Sequence, residues 1–238
     1  MQCVILAAGE GIRMRPLTLT APKPMLKLNG KPILEYIFES LPDEITEVIL
    51  VIGYLGDKIK GYFGDEFCGK KIKYVFQKEK SGTYKALELC KEYLDDDSFL
   101  MLYADDLHSP LNFKRCIDKK PLCVLLHNQA NNPERFGVVL LNEDKTIKAI
   151  EEKPDKPKSN LVSCGPVCLD KRIFSYPPKP ASNREYYLPE SVSKLAKVFK
   201  INTAETDWWI PIGYPEDLKR AEEFLNGQAK NKSRRKQD

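Results

Sequence analysis

Directly behind the apolar run CVILAA, at positions 3 to 8, stand two glycines, Gly9 and Gly11, two arginines, Arg13 and Arg15, and a little further on Lys23. Glycines let backbone N–H groups come close to an anion, and Arg13 and Lys23 carry charge that phosphate oxygens accept. The chemistry such a loop serves is phosphate binding. It is not a dinucleotide fingerprint, because there is no third glycine and Pro16, Pro22 and Pro24 intervene before any helix. It is not a Walker A loop either, since no G-K-[S/T] follows. Taken alone, the stretch would pass for a proline-rich surface loop with solvated arginines, so its meaning depends on what the rest of the chain builds around it.

The elements that would hold the loop are legible as short apolar runs at 3–8, 47–54, 72–77, 98–105 and 122–128. They are β-branched-rich and lack clean alternation, as strands covered on both faces do. Helical patterns lie between them at 32–41, 55–63 and 82–94. Strand and helix in alternation predict a mostly parallel sheet flanked by helices, which binds ligands beyond the carboxyl ends of its strands. The first strand ends straight into the glycine loop. In the second half, 135–154 reads as two strands joined by a turn at 142–145, 160–170 as another strand, and 189–199 as a helix. A last strand is expected within 207–214, and a closing helix from Pro215 to a stop at Gly227.

At 238 residues the chain is long enough for one large core, and residues 1–226 are expected to form one catalytic domain. The formal net charge of +4 sits in the tail from Gly227, which holds Lys230, Lys232, Arg234, Arg235 and Lys236 against Asp238. Without the tail the counts are 33 cations and 33 anions, no electrostatic footprint for a nucleic acid substrate. Residues 227–238 are expected to be a solvated, disordered basic tail. Seven cysteines without a C-x-x-C pair, and two histidines, exclude a zinc site of ordinary spacing. Cysteines in apolar surroundings fit a reducing compartment, and no run has the length of a membrane span, so a cytoplasmic protein is expected. Self-association is left open.

AAGEGIRMRPLT, followed by PKPM and GKPILEY, resembles the signature of the sugar-1-phosphate nucleotidylyltransferases, the enzymes that make NDP-sugars. The similarity continues in order through QKEKSGT (77–83), YADD (103–106), RFGVV (135–139), EEKP (151–154) and IGYPEDL (212–218). It implies an α/β, Rossmann-like nucleotidyltransferase fold of GT-A type in its short form, without a C-terminal β-helix. It implies Mg²⁺-dependent transfer of a nucleotidyl group from an NTP to a sugar 1-phosphate, with release of pyrophosphate. Carried over residue by residue, Leu6, Ala8, Gly9, Gly11, Gln77 and Gly82 would meet the nucleotide. Arg13 and Lys23 would hold its phosphates, Asp105 would bind Mg²⁺, and Gly137, Glu152 and Lys153 would take the sugar phosphate.

The resemblance breaks in one chemically important place. The family shows W-x-D-x-G near its last strand, where the Asp is a second carboxylate for the metal; alignment on Gly213 puts Pro211 there, and proline has no side-chain donor. Asp207, four residues earlier, would stand about 13 Å away on an extended strand. Asp106 and Glu205 are the other carboxylates in question, and the sequence places neither. Lesser departures are Ile12, Tyr84, Ala104 and Ser163. Tyr84 reads as core packing, His108 as a surface or turn residue and His127 as structural, and at most one of Trp208 and Trp209 can face a ligand because neighbours on a strand point oppositely. Two other readings stay open: a non-catalytic homologue that binds nucleotide sugar as a regulatory subunit, and a cytidylyltransferase acting on phosphocholine or an inositol phosphate.

Overall fold

The computed structural model describes residues 1–128 and 130–234. Its strands are β1 (Gln2–Ala7), β2 (Lys27–Leu28), β3 (Lys31–Pro32), β4 (Glu47–Ile52), β5 (Glu66–Phe67), β6 (Lys70–Phe76), β7 (Ser98–Tyr103), β8 (Asp106–His108), β9 (Cys123–His127), β10 (Gly137–Leu141), β11 (Ile147–Glu152), β12 (Val162–Asp170), β13 (Asn202–Glu205) and β14 (Trp209–Pro211). Its α-helices are α1 (Ile33–Ser40), α2 (Gly56–Phe63), α3 (Thr83–Glu88), α4 (Pro110–Ile117), α5 (Leu188–Ala196) and α6 (Pro215–Arg234).

A ten-stranded sheet runs β11-β10-β12-β7-β1-β4-β6-β5, with β9 joined to β12 and β13 to β9. β7, β1, β4 and β6 are parallel, while β12 enters antiparallel and turns the sheet mixed. The first strand shows why these runs are apolar without alternation. Cys3, Ile5 and Ala7 pack into one core cluster with α1, α2 and α4, and Val4 packs into another with α3 and α5. β4 divides in the same way, Val48, Leu50 and Ile52 against Ile49 and Val51. A strand covered on both faces buries every side chain, and each large one contributes about 1.5–3 kcal/mol.

Several expectations need correction. The helix expected over 82–94 is shorter, because after Glu88 the chain tightens into a 3-10 turn at Lys91–Tyr93. The last strand contracts to β14 and leaves the main sheet, pairing instead with β8. α6 does not stop at Gly227 but continues to Arg234. A helical glycine costs about 1 kcal/mol relative to alanine, too little to end a helix with no proline behind it. The part of the basic tail beyond residue 234 lies outside the described residues. α4, β8 and β13 carry too few apolar residues to stand out in the sequence. α4 is started by Ser109, whose hydroxyl accepts from Leu111 N at 3.3 Å, and by Pro110 in its first turn.

Candidate active site

The site opens where the sheet changes partners. β12 keeps β9 along one edge, but on its other edge it pairs with β10 at Val162 and Ser163 and with β7 from Val167 onward. Cys164, Gly165 and Pro166 lie between, with Gly165 at φ +111°. A cleft of about 580 Å³ lies here, at the carboxyl ends of β1 and β7. All twelve residues that the sequence nominated line it. A larger, more open hollow of about 720 Å³ at Leu141–Asp144 and 196–200 holds none of them.

The glycine loop forms one wall. Gly11 has φ +61°, and a Cβ there would stand 3.0 Å from Lys23 Cβ and Thr18 Cγ2, so the position needs glycine. Its carbonyl accepts from Met14 N and from Thr18 Oγ1, each at 2.8 Å. Met14 is fully buried beneath the loop. Gly9 has open space around it, so its lack of a side chain keeps the cleft floor clear and fills no packing need. Leu6 and Ala8 flank the strand end, and Leu6 O accepts from Ala104 N at 3.1 Å, which ties the loop to the segment carrying Asp105.

At the centre Lys23 Nζ donates to Asp105 Oδ2 at 2.7 Å. The other oxygen of Asp105 makes no hydrogen bond among the described residues. Asp106, which the sequence left unplaced, opens β8 and stands directly across from Pro211 on β14. It accepts from Trp209 Nε1 at 2.9 Å and from Ile212 N at 3.4 Å. Burial, reinforced by the charge of Asp105, lifts its carboxyl to about 7, against the opposing pull of Lys23 and of these two bonds. Asp207 and Glu205 do not line the cleft. Asp207 N donates to Asn112 Oδ1, and the Glu205 carbonyl accepts from Arg115.

Gln77 and Gly82, expected to meet the nucleotide, line the cleft together. Gln77 Nε2 reaches Ser81 Oγ and Gly82 O, each at 3.4 Å. Gly82 has φ +92°, and a Cβ there would fall 2.5 Å from Tyr186 N, so the chain passes too close for any side chain. Tyr84 behind it is fully buried in the core, as its helical spacing suggested.

On the opposite bank Gly137 pairs with Glu152 across β10 and β11 and with Ser163 across β12. Lys153 takes φ +43°, its N donates to Phe136 O at 3.0 Å, and its Nζ lies 3.1 Å from Glu152 Oε1. Trp209 lines the cleft, edge-on to Phe136 and His127, while Trp208 packs on Phe224. His108 corrects the sequence reading: it is buried, not a surface residue, and burial lowers its pKa to about 3. Arg135, which lines the cleft, and Tyr214, which follows the cleft residue Gly213, were given no role by the sequence, although they lie in the quoted RFGVV and IGYPEDL motifs. The Arg135 guanidinium stands 4.3 Å from the centre of the Tyr214 ring.

The chain belongs to the nucleotidyl transferase family, whose model matches residues 2–228. It is 35% identical over 232 residues to the bifunctional protein GlmU of Methanocaldococcus jannaschii, a match covering 94% of this chain and 54% of that one. It is also 35% identical over 234 residues to the UTP–glucose-1-phosphate uridylyltransferase AglF of Haloferax volcanii, covering 94% of this chain and 96% of the other. The chain thus spans about half the length of the bifunctional relative and nearly all of the uridylyltransferase. In structure it is similar to a UDP-glucose pyrophosphorylase complexed with UDP-glucose, with a TM-score of 0.84 at 24% identity, covering 95% of this chain and 98% of that one. The fold is therefore the Rossmann-like nucleotidyltransferase fold, a mostly parallel sheet flanked by helices. Among the described residues no helix is long and apolar enough to cross a membrane.

Proposed function

We propose that this protein transfers a nucleotidyl group from an NTP to a sugar 1-phosphate, giving an NDP-sugar and pyrophosphate. The observation that carries the reading is the convergence of the glycine loop, the Lys23–Asp105 pair and the Gly137–Glu152–Lys153 bank on one cleft. A phosphate oxygen of the sugar 1-phosphate, already ionised at neutral pH, attacks the α-phosphorus. The bond from that phosphorus to the oxygen bridging to the β-phosphate breaks, and pyrophosphate leaves with the electron pair. Positioning and charge stabilisation are most of what such a reaction needs.

In this reading Gln77 and Gly82 hold the base, and backbone N–H groups at Gly9 and Gly11 approach the phosphates. Arg13 holds the outer phosphates, Lys23 the reacting centre, and Lys153 the acceptor phosphate. Asp105 would hold Mg²⁺, and the donor set fits: one oxygen is fixed by Lys23 while the other has no hydrogen-bond partner among the described residues, and Mg²⁺ needs only one or two carboxylates besides phosphates and water. When bound, Mg²⁺ supplies charge neutralisation between the two anionic reactants. The cysteines are all free thiols, which supports a reducing, cytoplasmic setting.

Pro211 favours a second reading, a regulatory homologue that binds nucleotide sugar without turnover. Pyrophosphate release, measured for each common NTP against sugar 1-phosphates, phosphocholine and inositol phosphate, decides between them. Turnover with a sugar 1-phosphate is the expected result. Turnover confined to phosphocholine or inositol phosphate would replace the acceptor, and nucleotide binding without turnover on any pair would favour the regulatory reading.

A further inference from the structure

The cations of the cleft fall into two groups. Lys23 is paired with Asp105, Lys80 with Glu10, and Lys153 with Glu152. Arg13 and Arg135 make no ion pair and no side-chain hydrogen bond among the described residues. Both instead stand over the ring of Tyr214, Arg13 at 5.7 Å and Arg135 at 4.3 Å from its centre. An aromatic face attracts a guanidinium without neutralising it and leaves its N–H fork free for another acceptor.

The backbone that carries the ring is fixed. Tyr214 sits at the corner between β14 and α6, where the N–H groups of Gly213 and Tyr214 donate to Asp217 Oδ2 at 2.8 and 2.9 Å. Asp217 is buried and pairs with Arg220 at 3.0 Å, so its carboxylate is engaged elsewhere. Pro211 offers no carboxylate on β14 that could draw Arg135 aside. Arg135 is held from behind as well: Phe136 packs edge-on against Trp209 at 4.9 Å, and Phe136 N donates to Pro133 O at 3.0 Å. Arg13 rises from the glycine loop and Arg135 from the bank before β10, so one ring gathers two guanidiniums from opposite sides of the cleft.

We propose that Arg135 is a second phosphate-binding arginine, acting with Arg13 across Tyr214 to hold the leaving pyrophosphate. The inference rests on the nucleotidyl-transfer reading and deepens it. Lys153 and Lys23 already serve the acceptor and the reacting centre, whereas the β- and γ-phosphates gain charge as the α-phosphorus–oxygen bond breaks. Two forked cations without a counter-ion among the described residues suit two phosphoryl groups, since each accepts paired N–H donors. Arg135 shares its ring with the arginine at the glycine loop, so its guanidinium converges with that of Arg13 although its backbone belongs to the bank of Gly137 and Lys153.

The test measures both directions of the reaction and binding of inorganic pyrophosphate by calorimetry, for wild type, Arg135→Ala, Arg135→Lys, Tyr214→Phe and Tyr214→Leu. Arg135→Ala is expected to raise KM for pyrophosphate and for the NTP by about tenfold to a hundredfold, the loss of a charge-assisted hydrogen-bonded contact. KM for the sugar 1-phosphate and for the NDP-sugar should stay within about threefold, a range that leaves their binding contacts intact. Arg135→Lys should restore little, because a point charge lacks the fork, and Tyr214→Leu should show part of the defect that Tyr214→Phe does not. A defect in sugar 1-phosphate KM with pyrophosphate unchanged would overturn the proposal, as would no defect in either. A wild type without turnover would refute the enzymatic reading, and calorimetry with pyrophosphate would then still decide whether Arg135 contributes to the anion site.

Discussion

Lys23 Nζ lies 2.7 Å from Asp105 Oδ2, joining residues 82 positions apart at the centre of the cleft. The lysine is nearly buried while the aspartate side chain is 39% exposed, so one partner is held and the other faces the ligand space. A partly exposed pair of this kind contributes about 1 kcal/mol or less to folding. Lys23→Met is therefore expected to keep its Tm within a few degrees and yet lose about a hundredfold or more in kcat, the scale of removing one preorganised charge from a transition state. Calorimetry beside steady-state kinetics checks this; a variant that loses stability and activity together would make the pair structural.

The glycines separate into two kinds. Gly82→Ala places a Cβ 2.5 Å from Tyr186 N at φ +92°, and should cost about 2 kcal/mol or more in stability. Gly9→Ala meets nothing within 4 Å, so denaturant unfolding should match wild type within about 0.5 kcal/mol while KM for the NTP rises. An equal loss of stability in both variants would contradict the role given to Gly9.

Pro211 faces Asp106 across the two-stranded ribbon of β8 and β14. Pro211→Asp would set two carboxylates directly opposite one another, a destabilising arrangement of like charges. Its Tm should fall in chelator and recover with Mg²⁺, by more than the wild-type response to the same Mg²⁺. A variant whose Tm ignores Mg²⁺ would show that position 211 does not face the metal site.

His108 adds a pH dependence that a variant isolates. Burial lowers its pKa from 6.5 to about 3, so below pH 6.5 the unfolded chain takes up a proton that the folded chain refuses. Relative to His108→Gln, wild type should lose about 1.4 kcal/mol of stability per pH unit as pH falls from 6.5 toward 3, with no change in the difference above 6.5. Comparing the two proteins cancels the titration of groups they share. Parallel stability curves from pH 7 to 4.5 would contradict the assignment.

The parallel core strands were legible because residues such as Val48 to Ile52 are apolar on both faces, and the glycine loop because cations at a strand end are rarely accidental. β8 and α4 were not, since Asp106–His108 is three residues long and α4 buries Asn112 beside Phe113, Cys116 and Ile117. Asn112 is buried because its side chain joins α4 to the approach of β14, accepting from Asp207 N and donating to Trp208 O. Such a polar core residue leaves no periodic signal. Asp106 and Arg135 escaped for a related reason: their meaning lies in what stands across from them, Pro211 and Tyr214, about 80 to 100 residues further along the chain.

The central claim is that this cleft performs nucleotidyl transfer through Asp105. The most direct measurement is pyrophosphate release with Mg²⁺ on the best NTP and sugar 1-phosphate pair, for wild type and Asp105→Asn, with NTP binding followed in parallel. The account predicts turnover by wild type and a loss of about a hundredfold or more in Asp105→Asn, with the fold and residual NTP binding retained. Equal turnover in the two proteins would contradict it.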